Sequence, residues 1–248
     1  QSIRVEHKKP LPNPDIVILA IDDASLEVLW EKYGEWPIPR NVYADVINYI
    51  EAQNPQSIVF DLMFLKSIRS KADADKIFIE TMNKYPNIYT GINFDNNDAD
   101  VRIPIRLPER MSIKIDNKSK IHLNNKYKFS NCRPILSELM NGKVNIGSTN
   151  IVRSEDGIIR FVSPFIQYNN KFYPSLGFKA GMDYMNPNKQ DIVINKNGTI
   201  NIADSKIFLN KLKIYILKVK YQKTKNKIKK RFGYNILKKR KKNIFIEV

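Results

Sequence analysis

Asp22, Asp23 and Asp61 are the residues with the clearest chemical potential, because each stands at the end of an apolar run. Carboxylates gathered at one place accept hydrogen bonds from a polar ligand or hold a cation. Acids in these positions also do a plainer job, capping a following helix or turn for about 1 kcal/mol each. Both roles stay open for this trio. Arg40 is the natural counter-charge, since a guanidinium pairs with a carboxylate through directed hydrogen bonds. Trp36 lies on the same loop as Arg40 and either packs beneath it or faces a ligand. Phe64, Asn145 and Arg160 complete the set of candidate ligand-binding residues. Catalytic sets are missing: there is no Ser/His/Asp group, no Gly-rich phosphate loop and no Cys/His metal spacing. His122 is the only histidine outside the first ten residues and has no cysteine beside it. No enzymatic activity, cofactor or metal is expected of this chain.

The elements that would position these groups are strands and helices in alternation. Asp15-Ile16-Val17-Ile18-Leu19-Ala20-Ile21 is nearly unbroken and β-branched-rich, as a strand buried on both faces requires. A helix follows from Ala24 to Trp30, with Asp23 expected as its cap and Gly34 as its end. Trp36-Pro37-Ile38-Pro39-Arg40 is a proline-stiffened loop. Asn41 opens a second helix with Val42, Val46, Ile47 and Ile50 on one face. Ser57-Ile58-Val59-Phe60-Asp61 repeats the buried-strand pattern. Two such strands joined by a helical crossover form a βαβ unit with parallel strands. The three aspartates would then share the carboxyl edge of the sheet, where open α/β sheets bind ligands.

Composition sets the outer limits. The 248 residues suffice for one substantial core. The single cysteine, Cys132, permits no internal disulfide and does not decide the compartment. No apolar run reaches the ~20 residues of a membrane span. The start at Gln1 without Met favours a piece of a larger receptor. The net charge of +17 is unevenly spread. Residues 206–248 hold 16 of the 42 Lys and Arg but one of the 25 acids, leaving 26 basic and 24 acidic groups before them. The preceding part is therefore close to neutral, and the basicity belongs to the tail.

Further along, residues 74–84 read as a helix capped by Asp73, and residues 87–94 as a third parallel strand. The loop 95–100 lacks the Gly and the closing Glu of a calcium loop. Residues 144–147 and 158–162 are expected as an antiparallel hairpin, Asn169-Asn170 as a turn, and Pro174 as the first residue of a helix. Residues 191–194 and 199–202 flank another hairpin turn. The fold class that results is α/β, with a mainly parallel central sheet flanked by helices and antiparallel hairpins added in the second half.

Ala20-Ile21-Asp22-Asp23-Ala24-Ser25-Leu26, Trp36-Pro37-Ile38-Pro39-Arg40 and Val59-Phe60-Asp61-Leu62-Met63-Phe64 together resemble the CHASE2 family. Gly142-Lys143-Val144-Asn145-Ile146, Asp156-Gly157-Ile158-Ile159-Arg160 and Tyr173-Pro174-Ser175-Leu176 look like its second half. The likeness covers roughly residues 10 to 185. It implies an extracytoplasmic sensor domain of a bacterial membrane receptor, joined through membrane helices to a cytoplasmic adenylate or guanylate cyclase or a kinase. On this reading residues 1–14 are a connecting segment, 15–205 the sensor domain and 206–248 a basic extension. The closing strand expected near the end of such a domain is not legible in the tail, which reads as a helical extension, a segment near anionic lipid or an altered reading frame.

Three functions compete. The leading one is a sensor for an unknown small molecule, which acts by favouring one of two arrangements of the receptor. The second is a dimerisation domain that binds nothing and aligns the output domains as a homodimer. The third, a nucleic-acid or anionic-surface binder acting through the tail, has no basic face or aromatic platform to support it.

Overall fold

A computed structural model describes residues 16–34, 37–67, 71–96, 105–113, 125–151, 163–185, 193–194, 199–202, 205–208 and 243–247. The first strand, β1 (Ile16–Ala20), leads into α1 (Asp23–Tyr33). Asp22, not Asp23, caps this helix: its carboxylate accepts the Ser25 N–H at 2.9 Å. Gly34 ends α1 with φ +70°, a left-handed conformation that glycine adopts without steric cost, and its N–H bonds the Trp30 carbonyl. Next come α2 (Asn41–Glu51), β2 (Ser57–Phe60), α3 (Ala72–Lys84) and β3 (Ile88–Asp95). Lys71 occupies the position before α3, and Asp73 lies within its first turn rather than capping it.

The second half holds β4 (Lys128–Phe129), β5 (Asn131–Arg133), α4 (Ser137–Met140), β6 (Asn145–Ser148), β7 (Phe165–Tyr168), β8 (Lys171–Pro174) and α5 (Leu176–Met185). The last strands are β9 (Val193–Ile194), β10 (Thr199–Ile202), β11 (Ser205–Phe208) and β12 (Asn243–Glu247). The turn at Asn169-Asn170 joins β7 to β8 as expected, both residues having positive φ. Pro174 closes β8, and the following helix begins only at Leu176. The hairpin partner expected at 158–162 lies outside the described residues. Strands β9 and β10 pair antiparallel, as the turn signal between them predicts, and β11 extends the same small sheet.

The fold is α/β, and two of its described sheets are mixed, while the small sheet of β9, β10 and β11 is antiparallel. In the central sheet β12 pairs parallel with β1 on one side and β2 on the other. Strand β3 pairs parallel with β2 and β6 but antiparallel with β5. A second sheet joins β4, β7 and β8, with one parallel and one antiparallel pairing. The expectation of a mainly parallel central sheet thus narrows to a mixed one.

Two expectations are corrected by β12. The tail does supply a strand, Asn243–Glu247, though its Lys-rich surroundings hid it. This strand also separates β1 from β2, so the two apolar runs are parallel without being neighbours.

The core explains which strand is buried. Ile58 and Phe60 of β2 pack with Tyr43, Ile47 and Ile50 of α2 and Phe78 and Met82 of α3. Val59 points the other way, into a cluster with Tyr89 and Leu176. Covered on both faces, all four residues of β2 are buried. The opposite holds at β1, where Ile16, Ile18 and Leu19 are exposed although their sequence reads as buried. Strand β1 ends the described sheet, and α1 has no buried residue with which to cover it. On the far side, Gly147 of β6 lets the start of α5 come close: a Cβ there would meet Leu176 Cα at 2.5 Å and its N at 2.8 Å.

Candidate functional site

Three segments meet beyond the carboxyl end of β2. The first is the loop 37–40, pinned by Ile38, which is buried. The second is the chain leaving β2, residues 61–67. The third is the first turn of α3. Because α2 and α3 both run back against β2, their N-termini point to this same end.

Arg40 ties the segments together. Its Nη1 donates to Asp75 Oδ1 at 2.8 Å, and its Nη2 donates to the Lys66 carbonyl at 2.9 Å. The other carboxylate oxygen of Asp75 accepts the Ser67 hydroxyl at 2.5 Å. The Lys71 ammonium donates to the Pro37 carbonyl at 3.2 Å. The pair is well sheltered, with 15% of the Arg40 side chain and 7% of the Asp75 side chain exposed. A paired and hydrogen-bonded carboxylate tolerates such burial where an isolated one would not.

Beneath the pair lies an aromatic floor. Phe64 and Phe78 stand 4.5 Å apart between ring centres, and Tyr43 meets Phe64 edge-on at 5.5 Å. Burial pushes the Tyr43 hydroxyl up to about 12, with the nearby Arg40 charge pulling it weakly back. Tyr43 is therefore neutral across the physiological range. Between the floor and the loops is a cavity of about 330 Å³, lined by apolar Ile38, Leu62 and Met63 and by polar Arg40, Lys66 and Asp75.

Of the residues expected at a site, Arg40 and Phe64 stand at this cavity. Arg40 pairs with none of the three expected aspartates, and its partner is Asp75. Asp22 and Asp61 do leave the same edge of the sheet, since β1 and β2 are parallel, but β12 intervenes. Two strand spacings put them about 10 Å apart along the sheet. Asp22, Asp23 and Asp61 are all exposed. Asp22 is spent on its cap, and the Ser25 hydroxyl and N–H hold its carboxyl below the usual range. Asn145 lies at the start of β6, where its amide donates to the Pro86 and Ile88 carbonyls at 2.7 and 3.2 Å. That is the amino end of the sheet, away from the cavity. Trp36, Arg160 and His122 lie outside the described residues.

Asp75, Ser67, Tyr43, Lys66 and Lys71 were not legible as site residues. Asp75 did leave a signal: it stands three and seven residues before Phe78 and Met82, on the apolar stripe of α3. A carboxylate on a buried helix face must find a partner. No group of three or more His, Cys, Asp or Glu suited to a metal ion occurs among the described residues.

The family model of the CHASE2 domain matches residues 1–243, nearly the whole chain. The chain belongs to the CHASE2 domain family. CHASE2 domains are extracellular sensory domains of signalling receptors and are not catalytic. The match runs through the basic tail and ends at Asn243, the first residue of β12. Comparison with curated proteins and with solved structures returned no match. Among the described residues, no helix of this CHASE2 chain is long and apolar enough to cross a membrane.

Proposed function

We propose that this CHASE2 chain is the ligand-sensing, extracytoplasmic part of a bacterial transmembrane receptor, coupled to a cytoplasmic output such as a cyclase or kinase. The observation that carries the reading is the cavity at the carboxyl end of β2, with its sheltered Arg40–Asp75 pair and aromatic floor. Largely apolar space with a few fixed polar groups is the usual form of a small-molecule site. Because three separate segments line it, a ligand there would change how the 37–40 loop and α3 sit against the strand. Only a difference in affinity between two arrangements moves a receptor from one to the other. Thermal denaturation of the chain against a metabolite library tests this. A stabilising compound whose effect disappears in Met63→Trp, which fills the cavity mouth, supports the reading. Loss of the effect only on changing residues far from the cavity refutes it.

One observation favours the second reading, a domain that dimerises to align the output domains. Ile16, Ile18 and Leu19 of β1 and Val28 and Trp30 of α1 are all exposed, Trp30 by 60%. Apolar surface of this kind marks association sites in soluble proteins. Sedimentation across a concentration range, with Trp30→Glu as the disrupting variant, decides between a dimer and a strict monomer.

A further inference from the structure

We infer that the outward face of α1 is the docking surface for a segment of this same chain, residues 209–242, which run between β11 and β12. The face is apolar at its base and acidic along its rim. Leu26 and Trp30, four residues apart, share one stripe of the helix. Asp23, Glu27 and Glu31 form the adjoining stripe at the same spacing. Among the described residues, these five alone line a hollow of about 500 Å³. Trp30 stands in it 60% exposed.

The acids have no cation of their own. None of the three carboxylates takes part in an ion pair among the described residues. Asp23 with Glu27, and Glu27 with Glu31, are like charges one helical turn apart and repel each other. Glu31 also stands in the last turn of α1, at the negative end of the helix dipole. Cations laid along the stripe relieve both.

Residues 209–242 have the matching chemistry. They hold fifteen Lys and Arg and no acid, with Leu212, Ile214, Ile216 and Val219 set between the charges. The chain also brings them to the right place. Asn243, directly after the segment, pairs with Ile16 of β1, and α1 begins at Asp23, just after β1 ends at Ala20. Laid end to end, β1 and α1 span about 33 Å, at about 3.3 Å per strand residue and 1.5 Å per helix residue. About ten extended residues cover that distance. The segment has 34, so reach does not limit it.

Other occupants fit the stripe less well. In a two-fold dimer a patch meets its own copy, which would set three acids against three acids. An anionic membrane is repelled for the same reason. A tethered segment, by contrast, has a local concentration on the order of millimolar. The inference takes the α1 face out of the dimerisation reading, leaves that reading with β1, and does not depend on the cavity beyond β2.

The test is carbodiimide coupling of the whole chain, which joins a carboxylate to a lysine only where the two touch. It is read by peptide mass spectrometry on an equal mixture of unlabelled and isotope-labelled protein. Links should join Asp23, Glu27 or Glu31 to lysines of 209–242 within one copy. They should fall off between about 50 and about 500 mM salt, as exposed charges are screened. Limited trypsin digestion is the second readout. The double variant Glu27→Lys and Glu31→Lys, at two exposed positions, should keep the far-UV spectrum. It should raise the rate of cleavage within 209–242 about three- to tenfold, in line with the reversal of two surface charges. Asp45→Lys, exposed on α2, should leave that rate unchanged. Links at α1 between labelled and unlabelled copies overturn the inference in favour of a second copy. Links spread evenly over other exposed acids such as Asp45 and Glu80, or a cleavage rate that ignores the double variant, overturn it as well. So does protection from trypsin that arises only on adding phosphatidylglycerol vesicles, which assigns the segment to a lipid surface.

Discussion

Asp75→Ala is the most informative single change, because it removes the group on which three segments converge. The substitution deletes the 2.8 Å ion-paired hydrogen bond from Arg40 and the 2.5 Å bond from Ser67. Hydrogen bonds to charged groups contribute about 1.5–3 kcal/mol each, and the two share one carboxylate, so they do not simply add. Breaking a buried pair from one side costs about 3–5 kcal/mol, since the remaining charge is left without a partner. Arg40 keeps its bond to the Lys66 carbonyl and is partly exposed, which lowers the expected loss to about 3 kcal/mol. With a urea m value of about 2–3 kcal/mol/M, the midpoint falls by about 1–1.5 M. Equilibrium urea unfolding at pH 7, followed by far-UV circular dichroism, reads the shift. Arg40→Met and the double variant complete the cycle, in which the coupling energy should exceed about 1.5 kcal/mol. An Asp75→Ala loss below about 0.5 kcal/mol, or a coupling near zero, refutes the role assigned to the pair.

Gly147→Ala should destabilise by about 1–3 kcal/mol, because its Cβ meets backbone atoms of Leu176. Gly177→Ala, one residue beyond Leu176 with open space around it, should be neutral or gain up to about 1 kcal/mol, and thermal melts of the pair separate crowding from any general effect on α5. Ile246→Pro removes a backbone donor from β12, a strand paired on both sides, so the chain should lose its cooperative unfolding transition in calorimetry. Burial raises the Glu51 carboxyl, and its Oε1 has no hydrogen-bond partner. An acid with a raised folded pKa favours the fold while protonated and loses that advantage as pH rises through the folded value. Glu51→Gln should therefore raise the melting temperature at pH 7 and make little difference at pH 3, as paired melts would show.

The parts of the fold legible in sequence were those where local pattern and tertiary environment agree. The run 57–60 reads as a buried strand and is one, because α2 and α3 cover one face and Leu176 the other. The run 15–21 carries the same pattern, but β1 sits at the end of the described sheet, so Ile16, Ile18 and Leu19 stay exposed and only Val17 and Ile21 pack partly against the core. Periodicity reports what a strand can bury, not what arrives to bury it. The closing strand was hidden for a related reason: Asn243–Glu247 is short, follows a dense run of lysines, and gains its meaning only from neighbours more than 180 residues away. At the site, Arg40 was legible and its partner was not. The carboxylates that end strands drew attention, whereas Asp75 lay inside an ordinary amphipathic helix. Its position on the apolar face was the available clue.

The placement of β12 also fixes the order of events during synthesis. Among the described residues β1 pairs only with β12, so β1 must wait for a strand made more than 200 residues later before it gains that hydrogen-bonded neighbour. Until the ribosome has delivered residue 247, the gap between β1 and β2 stays open and both strands expose unpaired edges. Contacts of such long sequence separation form slowly. Unpaired edges in the interval are open to association with other chains. A growing chain of this kind depends on its surroundings to keep the slot vacant.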